Sequence, residues 1–277
     1  IASHGGGVRV ADASEDLARL EEFQSSHDSI ELCHVDNPDV LLDKIEIVVP
    51  SPGVPASHPV LVRAVERGLP VVSEIECAYR SIDCPIVAVT GTNGKSTTTK
   101  LIADMFERAG HEIFIGGNYG TPLIEAADKD YDVAIAEISS FQLEWVEHFR
   151  PQIGIFLNLS EDHLDRHQDM QQYGAMKRRL FLKQGQSDWV IFNREDPVVC
   201  GLVTELKGVK CSFGWDELPP SFDSVAWADA AQLQMFHRGE TQCYQIASVP
   251  LRGRHNRENM MAAVCAGTLW GIQADII

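Results

Sequence analysis

The run Thr90-Gly91-Thr92-Asn93-Gly94-Lys95-Ser96-Thr97 constrains this chain more than any other feature. It follows Ile86–Val89, four consecutive apolar residues of the kind found in a parallel strand buried on both faces. It leads into a helical stretch reaching about Ala109. Strand, glycine turn and helix in that order suit phosphate. Glycines let backbone N–H groups turn toward anionic oxygens, and the helix start adds its positive dipole end. Lys95 can bridge terminal phosphates, and the Ser96 hydroxyl can ligate Mg²⁺. The general pattern has a glycine five residues before Gly94; here that position is Val89, so the loop is a shortened variant. The competing reading is an ordinary Gly/Asn turn at a helix start.

Such a loop needs an α/β fold with a mostly parallel sheet, and the rest of the chain alternates accordingly. Upstream, Val8–Ala11 reads as a strand ending at Asp12, and Ser14 as the cap of a helix to about Phe23. Strands are expected at Ile45–Val49 and Pro70–Val72, and helices near His58–Arg67 and Glu74–Tyr79. Ser81–Pro85 marks a boundary. Downstream, strands are expected near Ile113, Val133–Ile135, Ile153–Leu157 and Val190–Phe192. A hairpin is expected around Arg238-Gly239-Glu240, and a last helix from His255 to about Trp270.

Composition narrows the function classes. The 277 residues carry a formal net charge of -17, the wrong sign for a nucleic-acid scaffold. No apolar run has the length of a transmembrane helix, so no membrane insertion is expected. The seven cysteines form no C-x-x-C pair, and their odd number suits buried thiols in a reducing compartment, here the cytoplasm.

Four further groups of residues can carry chemistry. Glu137 ends an apolar strand, where α/β sheets place ligands, and a carboxylate there can hold Mg²⁺. Ser139 and Gln142 follow it. Asn158 to His167 again follows a strand and contains His163, a candidate metal ligand or carboxylate contact, with Asp162 and Asp165 beside it. Gly116–Pro122, with Asn118, is either a connector or a ligand-facing loop. Asn256 and Asn259 share a helix face and suit base recognition or, for Asn256, helix capping. Lys177 reads from spacing alone as part of a solvated basic face.

Taken in order, Gly-Thr-Asn-Gly-Lys-Ser-Thr, Gly-Gly-Asn-x-Gly, Glu-Ile-Ser-Ser-Phe-Gln-Leu-Glu, Glu-Asp-His-Leu-Asp-Arg and His-Asn-x-x-Asn resemble the Mur ligase superfamily. The Ser-Ser-Phe-Gln-Leu-Glu form is most similar to the branch that joins D-glutamate to UDP-N-acetylmuramoyl-L-alanine. The resemblance implies a truncated Rossmann-like UDP-sugar domain over 1–83, a P-loop ATP-binding domain over 84–277, and an absent C-terminal glutamate domain. It implies an ATP-dependent amide ligase of peptidoglycan precursor synthesis, hence of cell shape and division, working through an acyl phosphate. It implies a cytoplasmic monomer whose partners are ATP, glutamate and the UDP-linked substrate, and which as a fragment has little activity alone.

By the same resemblance, Gly91, Thr92, Asn93, Gly94, Lys95, Ser96, Thr97, Asn256 and Asn259 bind ATP. Lys95, His163 and Lys177 are catalytic. Ser96, Glu137, His163 and a carbamylated Lys177 hold two Mg²⁺ ions. Ser51, Pro52, Gly53, Asn118, Ser139 and Gln142 face the substrate. Asp12 is followed by Ala13-Ser14 where family members often carry Thr-Arg, a departure in the UDP-sugar domain. The alternatives are another superfamily member, such as folylpolyglutamate synthase, and a nucleotide-binding module without ligase chemistry.

Overall fold

A computed structural model describes residues 6–11, 30–33, 37–162, 166–216, 224–228, 232–246 and 249–277. The helix expected at Ser14–Phe23 lies outside them, as do Asp12, His163 and Asp165. The chain forms two compact units: one of Ile1–Pro50 with Val54–Val71, and one of Ser51–Gly53 with Val72–Ile277.

In the first unit, β1 (Val8–Ala11) pairs in parallel with β2 (Ile30–Cys33). A short helix α1 (Pro38–Leu41) and α2 (Pro59–Glu66) follow. The Arg9 guanidinium donates to the carbonyls of Leu41 and Asp43, both at 3.0 Å, covering acceptors that α1 leaves unpaired at its end. The strands expected at Ile45–Val49 and Pro70–Val72 reduce to one parallel bridge, Val48 to Val71. Ile47 and Val49 are exposed, so β-branched composition there meets no sheet among the described residues to bury it.

The second unit begins with α3 (Glu74–Ser81), capped by Ser73. Its Glu76 side chain is fully buried and accepts from the backbone N–H groups of Glu147, His148 and Phe149 at 2.9–3.0 Å. This pins α3 to the second unit, so compactness divides the chain upstream of the helix, whereas the sequence boundary fell after Asp83.

Among the described residues this unit holds a nine-stranded sheet in the order β11-β10-β9-β8-β7-β6-β3-β5-β4. The strands are β3 (Ile86–Thr90), β4 (Ile113–Gly117), β5 (Val133–Glu137), β6 (Ile153–Phe156), β7 (Trp189–Asn193), β8 (Val209–Gly214), β9 (Ser224–Ala228), β10 (Gln232–His237) and β11 (Glu240–Gln245). Pairings from β4 to β9 are parallel, and β9, β10 and β11 are antiparallel. The β10–β11 turn falls at Arg238 and Gly239, whose φ values of 51° and 87° suit a tight hairpin.

The period-two alternation of the strands feeds two cores. Val87, Val89, Val133, Ile135, Ile153 and Ile155 face α4 (Lys95–Arg108) and α7 (Arg254–Trp270). Ile86, Ala88, Ala134, Ala136 and Phe156 face the other side, with Leu123, Phe149, Tyr173 and Phe181. Helices on both faces explain why these strands read as unbroken apolar runs. On that second side lie α5 (Met170–Arg178) and α6 (Pro197–Val203). Chain order reverses at β3, with β5 on one side and β6 on the other. An open α/β sheet binds its ligand at the carboxyl end of such a switch point.

Candidate active site

Three loops meet at the carboxyl edge of β3, β5 and β6. The loop after β3 enters α4 through Gly94, at φ 88° and ψ -4°. A Cβ there would lie 2.3 Å from Asn259 Oδ1, so position and torsion both require glycine. The loop is fastened to the strand beside it: Thr92 N–H donates to Asn158 O at 3.0 Å, and Asn93 N–H to Asn158 Oδ1 at 2.9 Å. Asn158 Nδ2 returns a bond to Asn93 O at 3.0 Å. The structure thus gives Asn158 a definite task that its sequence position only hinted at: it is polar and directly follows a buried strand.

Lys95 Nζ folds back over the turn, 3.1 Å from Gly91 O and 3.0 Å from Thr92 O. Burial pushes its pKa down from the usual lysine range, against the charges of Glu137 and Asp162. Ser96 Oγ donates to Glu137 Oε2 at 2.7 Å, and Asn118 Nδ2 to Glu137 Oε1 at 3.0 Å. Glu137 and Ser96 therefore bring hard oxygen donors together beside the phosphate loop, with the Asn118 amide N–H holding the carboxylate. These donors fit Mg²⁺, which prefers oxygen. Among the described residues no group of three His, Cys, Asp or Glu side chains gathers as a metal site; His163 lies outside them.

The spacing reading of Lys177 as solvated surface is corrected. Its side chain is 1% exposed, and Nζ donates to Gly91 O at 2.9 Å and lies 4.6 Å from the centre of the Tyr173 ring. Helix α5 turns this lysine inward between the phosphate loop and the core, so its charge has little water. Desolvation, helped by Lys95, pushes its pKa down to about 7. Tyr173, which the sequence did not single out, also reaches Thr92 Oγ1 at 3.5 Å.

The other expected residues separate into two groups. Ser139 and Gln142 lock each other at the end of β5: Gln142 Oε1 accepts from Ser139 N–H at 3.0 Å and from Ser139 Oγ at 3.1 Å. Gly53 O accepts from Arg166 at 2.9 Å, which ties the Ser51-Pro52-Gly53 turn to the segment after β6. Asn259 is buried against Gly94, with Asn256 Oδ1 3.5 Å from its Nδ2. Asn256 does not cap α7. Gly253 holds the cap position, and the Asn256 amide donates to Arg252 O at 2.8 Å. Thr97 sits in the first turn of α4. Two pockets, of about 590 and 530 Å³, open at the opposite, amino-terminal edge around Ile82–Pro85, away from all of these groups.

A phosphate loop, a strand-end carboxylate that receives its serine, and a buried lysine on the loop's carbonyl define a nucleotide-dependent class of site. The model of the Mur ligase middle domain matches residues 89–267, and the chain belongs to the Mur ligase family. Among its relatives, the UDP-N-acetylmuramoylalanine–D-glutamate ligase of Trichlorobacter lovleyi is 39% identical over 99% of this chain and 62% of its own length. The ligase of the same name from Syntrophotalea carbinolica is 41% identical over 85% of this chain and 52% of its own. The chain therefore spans a little over half the length of these relatives. The fold matches the UDP-N-acetylmuramate:L-alanyl-gamma-D-glutamyl-meso-diaminopimelate ligase of Neisseria meningitides, with a TM-score of 0.64 and 19% identity over 99% of this chain and 89% of that one. No helix among the described residues is long and apolar enough to cross a membrane.

Proposed function

We propose that this chain carries the ATP-binding part, and a portion of the UDP-sugar part, of a ligase that joins D-glutamate to UDP-N-acetylmuramoyl-L-alanine. The functional division is placed at 83/84, after α3, although compactness divides the chain before that helix. The observation that carries this reading is Lys177, buried 2.9 Å from Gly91 O beside the Ser96–Glu137 pair. A simple nucleotide switch needs the loop, the lysine at its end and one Mg²⁺ acid. It does not need a second, buried lysine on the same loop. Similarity near 40% to ligases of that name supports the particular substrate.

The chemistry follows from the poor electrophilicity of a carboxylate. A carboxylate oxygen of the UDP-linked alanine attacks the γ-phosphorus of ATP, and ADP leaves with the bonding electron pair. The glutamate amine then attacks the resulting acyl carbon, loses a proton and expels phosphate. Both anions must approach one another, so the protein must supply positive charge. Lys95 and the N–H groups at the α4 start hold the phosphates. Ser96 and Glu137 would hold one Mg²⁺. Bound Mg²⁺ neutralises phosphate charge.

Lys177 enters by losing its own charge. With its pKa near 7, a large fraction of the amine is neutral at physiological pH and nucleophilic toward CO₂. The nitrogen lone pair forms a bond to the CO₂ carbon and the amine gives up one proton, leaving a carbamate. That anion, with His163, would hold a second Mg²⁺. Asn256 and Asn259 contact the base, while Ser51, Pro52, Gly53, Asn118, Ser139 and Gln142 line the side toward the UDP-linked substrate. The protein acts as a monomer in the cytoplasm.

The test is a substrate panel run with the full-length protein of which this chain forms part. ATP and Mg²⁺ are supplied with either hand of glutamate and with UDP-N-acetylmuramoyl-L-alanine, other UDP-muramyl peptides or a folate, and phosphate release is followed. Release confined to D-glutamate with the alanine substrate supports the reading. Release with folate assigns the chain to the folylpolyglutamate branch, and glutamate-independent hydrolysis assigns it to the switch class.

A further inference from the structure

The segment after β6 contributes two residues that neither the phosphate loop nor the metal cluster uses, Arg166 and His167. They organise a continuous stack. The Arg166 guanidinium lies 5.2 Å from the centre of the Phe141 ring. Phe141 stacks on His167 at 5.4 Å with the planes 15° apart, and His167 stacks on Tyr173 at 5.0 Å and 29°. Tyr173 in turn carries Lys177 Nζ over its ring at 4.6 Å. A nitrogen-bearing group thus stands over the outer ring at each end of three stacked rings, the Arg166 guanidinium as a cation and the Lys177 amine as an N–H donor.

Both ends of this column touch a different part of the site. Arg166 holds Gly53 O at 2.9 Å and Glu144 Oε2 at 3.2 Å, so that end fixes the Ser51–Gly53 turn against the segment after β5. At the other end Lys177 holds Gly91 O, and Tyr173 reaches Thr92 Oγ1. In the middle, His167 Nε2 lies 2.9 Å from Ser140 Oγ, between the mutually locked Ser139 and Gln142. His167 is 7% exposed. Its contacts join the segment after β5, the segment after β6 and helix α5.

We propose that Arg166 and His167 are positioning residues, and that the column Arg166–Phe141–His167–Tyr173–Lys177 couples the Ser51–Gly53 turn to the phosphate loop. The inference rests on the functional reading above only for what the two ends bind; the coupling itself is a property of this chain. Packed side chains have discrete arrangements, so displacing one member shifts its neighbours rather than being absorbed locally. The substrate turn and the nucleotide loop therefore set each other's position through stacked rings, without sharing a ligand.

The test compares the 277-residue chain with Arg166→Ala, His167→Ala and His167→Phe by amide hydrogen exchange, with buried β5 as the internal check of folding. In His167→Ala, amides of the phosphate loop at Thr92 and Asn93 and of the segment at Ser139–Gln142 exchange about fivefold or more faster. His167→Phe keeps the stack but loses the bond to Ser140, so the phosphate loop returns to within about twofold of the parent while Ser139–Gln142 stays fast. Arg166→Ala, at the far end, also accelerates Thr92 and Asn93. Unchanged exchange at Thr92 and Asn93 in both alanine variants, with β5 protected, overturns the coupling; if β5 is itself lost in His167→Ala, the Arg166 and phenylalanine variants decide. A parallel titration with ADP and Mg²⁺ should show affinity about tenfold weaker in His167→Ala and restored in His167→Phe. Absence of ADP binding by the parent would count against the functional reading and leave the exchange result to judge the column.

Discussion

Glu76 and Lys177 are both charged side chains taken almost wholly out of water, and the fold treats them in opposite ways. Burial pulls the Glu76 carboxyl upward, but the N–H groups of Glu147, His148 and Phe149 and the Arg80 guanidinium outweigh it, so its pKa ends below the ordinary carboxylate range. Burial pulls Lys177 down to about 7, and the hydrogen bond to Gly91 O does not restore it. The difference is the supply of partners. A buried ion surrounded by donors is held in its charged form and serves as an anchor. A buried ion that burial and a neighbouring charge of the same sign, here Lys95, push toward neutrality becomes a reactive group. One region of the molecule spends its hydrogen bonds on holding α3 to the sheet, and the other keeps a lysine poised.

Breaking the comparison at the reactive end gives the largest effect. In the full-length ligase, Lys177→Ala should lower activity about a thousandfold, the scale of losing a principal electrostatic group, with partial recovery when short carboxylic acids replace the missing anion. An unchanged rate removes Lys177 from the chemistry. At the anchoring end, Glu76→Gln should cost about 3 kcal/mol of unfolding free energy at pH 7, measured by urea denaturation. The sign with pH is fixed by the lowered pKa. The anchor's contribution is present above the unfolded carboxyl's value and fades as pH falls through the folded one, so parent and variant converge in acid.

The same measurement on Lys177→Met sharpens the contrast, because the sign reverses. In CO₂-free buffer at pH 6 the parent must bury an ammonium, so the variant should be more stable by about 2 kcal/mol, well inside the ceiling the shift allows. That advantage shrinks as pH rises from about 7 toward the unfolded lysine value of 10.5, since the parent folded state then holds a neutral amine. The smallest effect belongs to Gly94→Ala. The left-handed torsion and the close Asn259 amide should cost about 1 kcal/mol of stability, together with weaker ADP binding seen by calorimetry.

Much of this was legible in the sequence because it was local. Ile86–Val89 followed by the glycine loop placed the phosphate site, and Arg238-Gly239 marked the hairpin turn that both positive φ values bear out. Strand β2, helix α6 and strand β8 escaped notice, each short and without a strong period of its own. Lys177 misled for a physical reason. Three consecutive basic residues suggest water, but only tertiary packing reveals that α5 turns the first of them onto Gly91 while Arg178 and Arg179 reach Leu202 O and Val146 O. The aromatic column was invisible for a similar reason: Phe141, His167 and Tyr173 come from separate segments and meet only in space.

The state of the Lys177 amine can be observed directly. Chain prepared in carbon-13-labelled bicarbonate with ADP and Mg²⁺ should give a carbamate carbon resonance in NMR. The signal should grow as pH is raised through 7, and Lys177→Met should lack it. A spectrum with no protein carbamate at any pH, from a chain that binds ADP and Mg²⁺ normally, would contradict the assignment of Lys177 as the reactive buried lysine of this site.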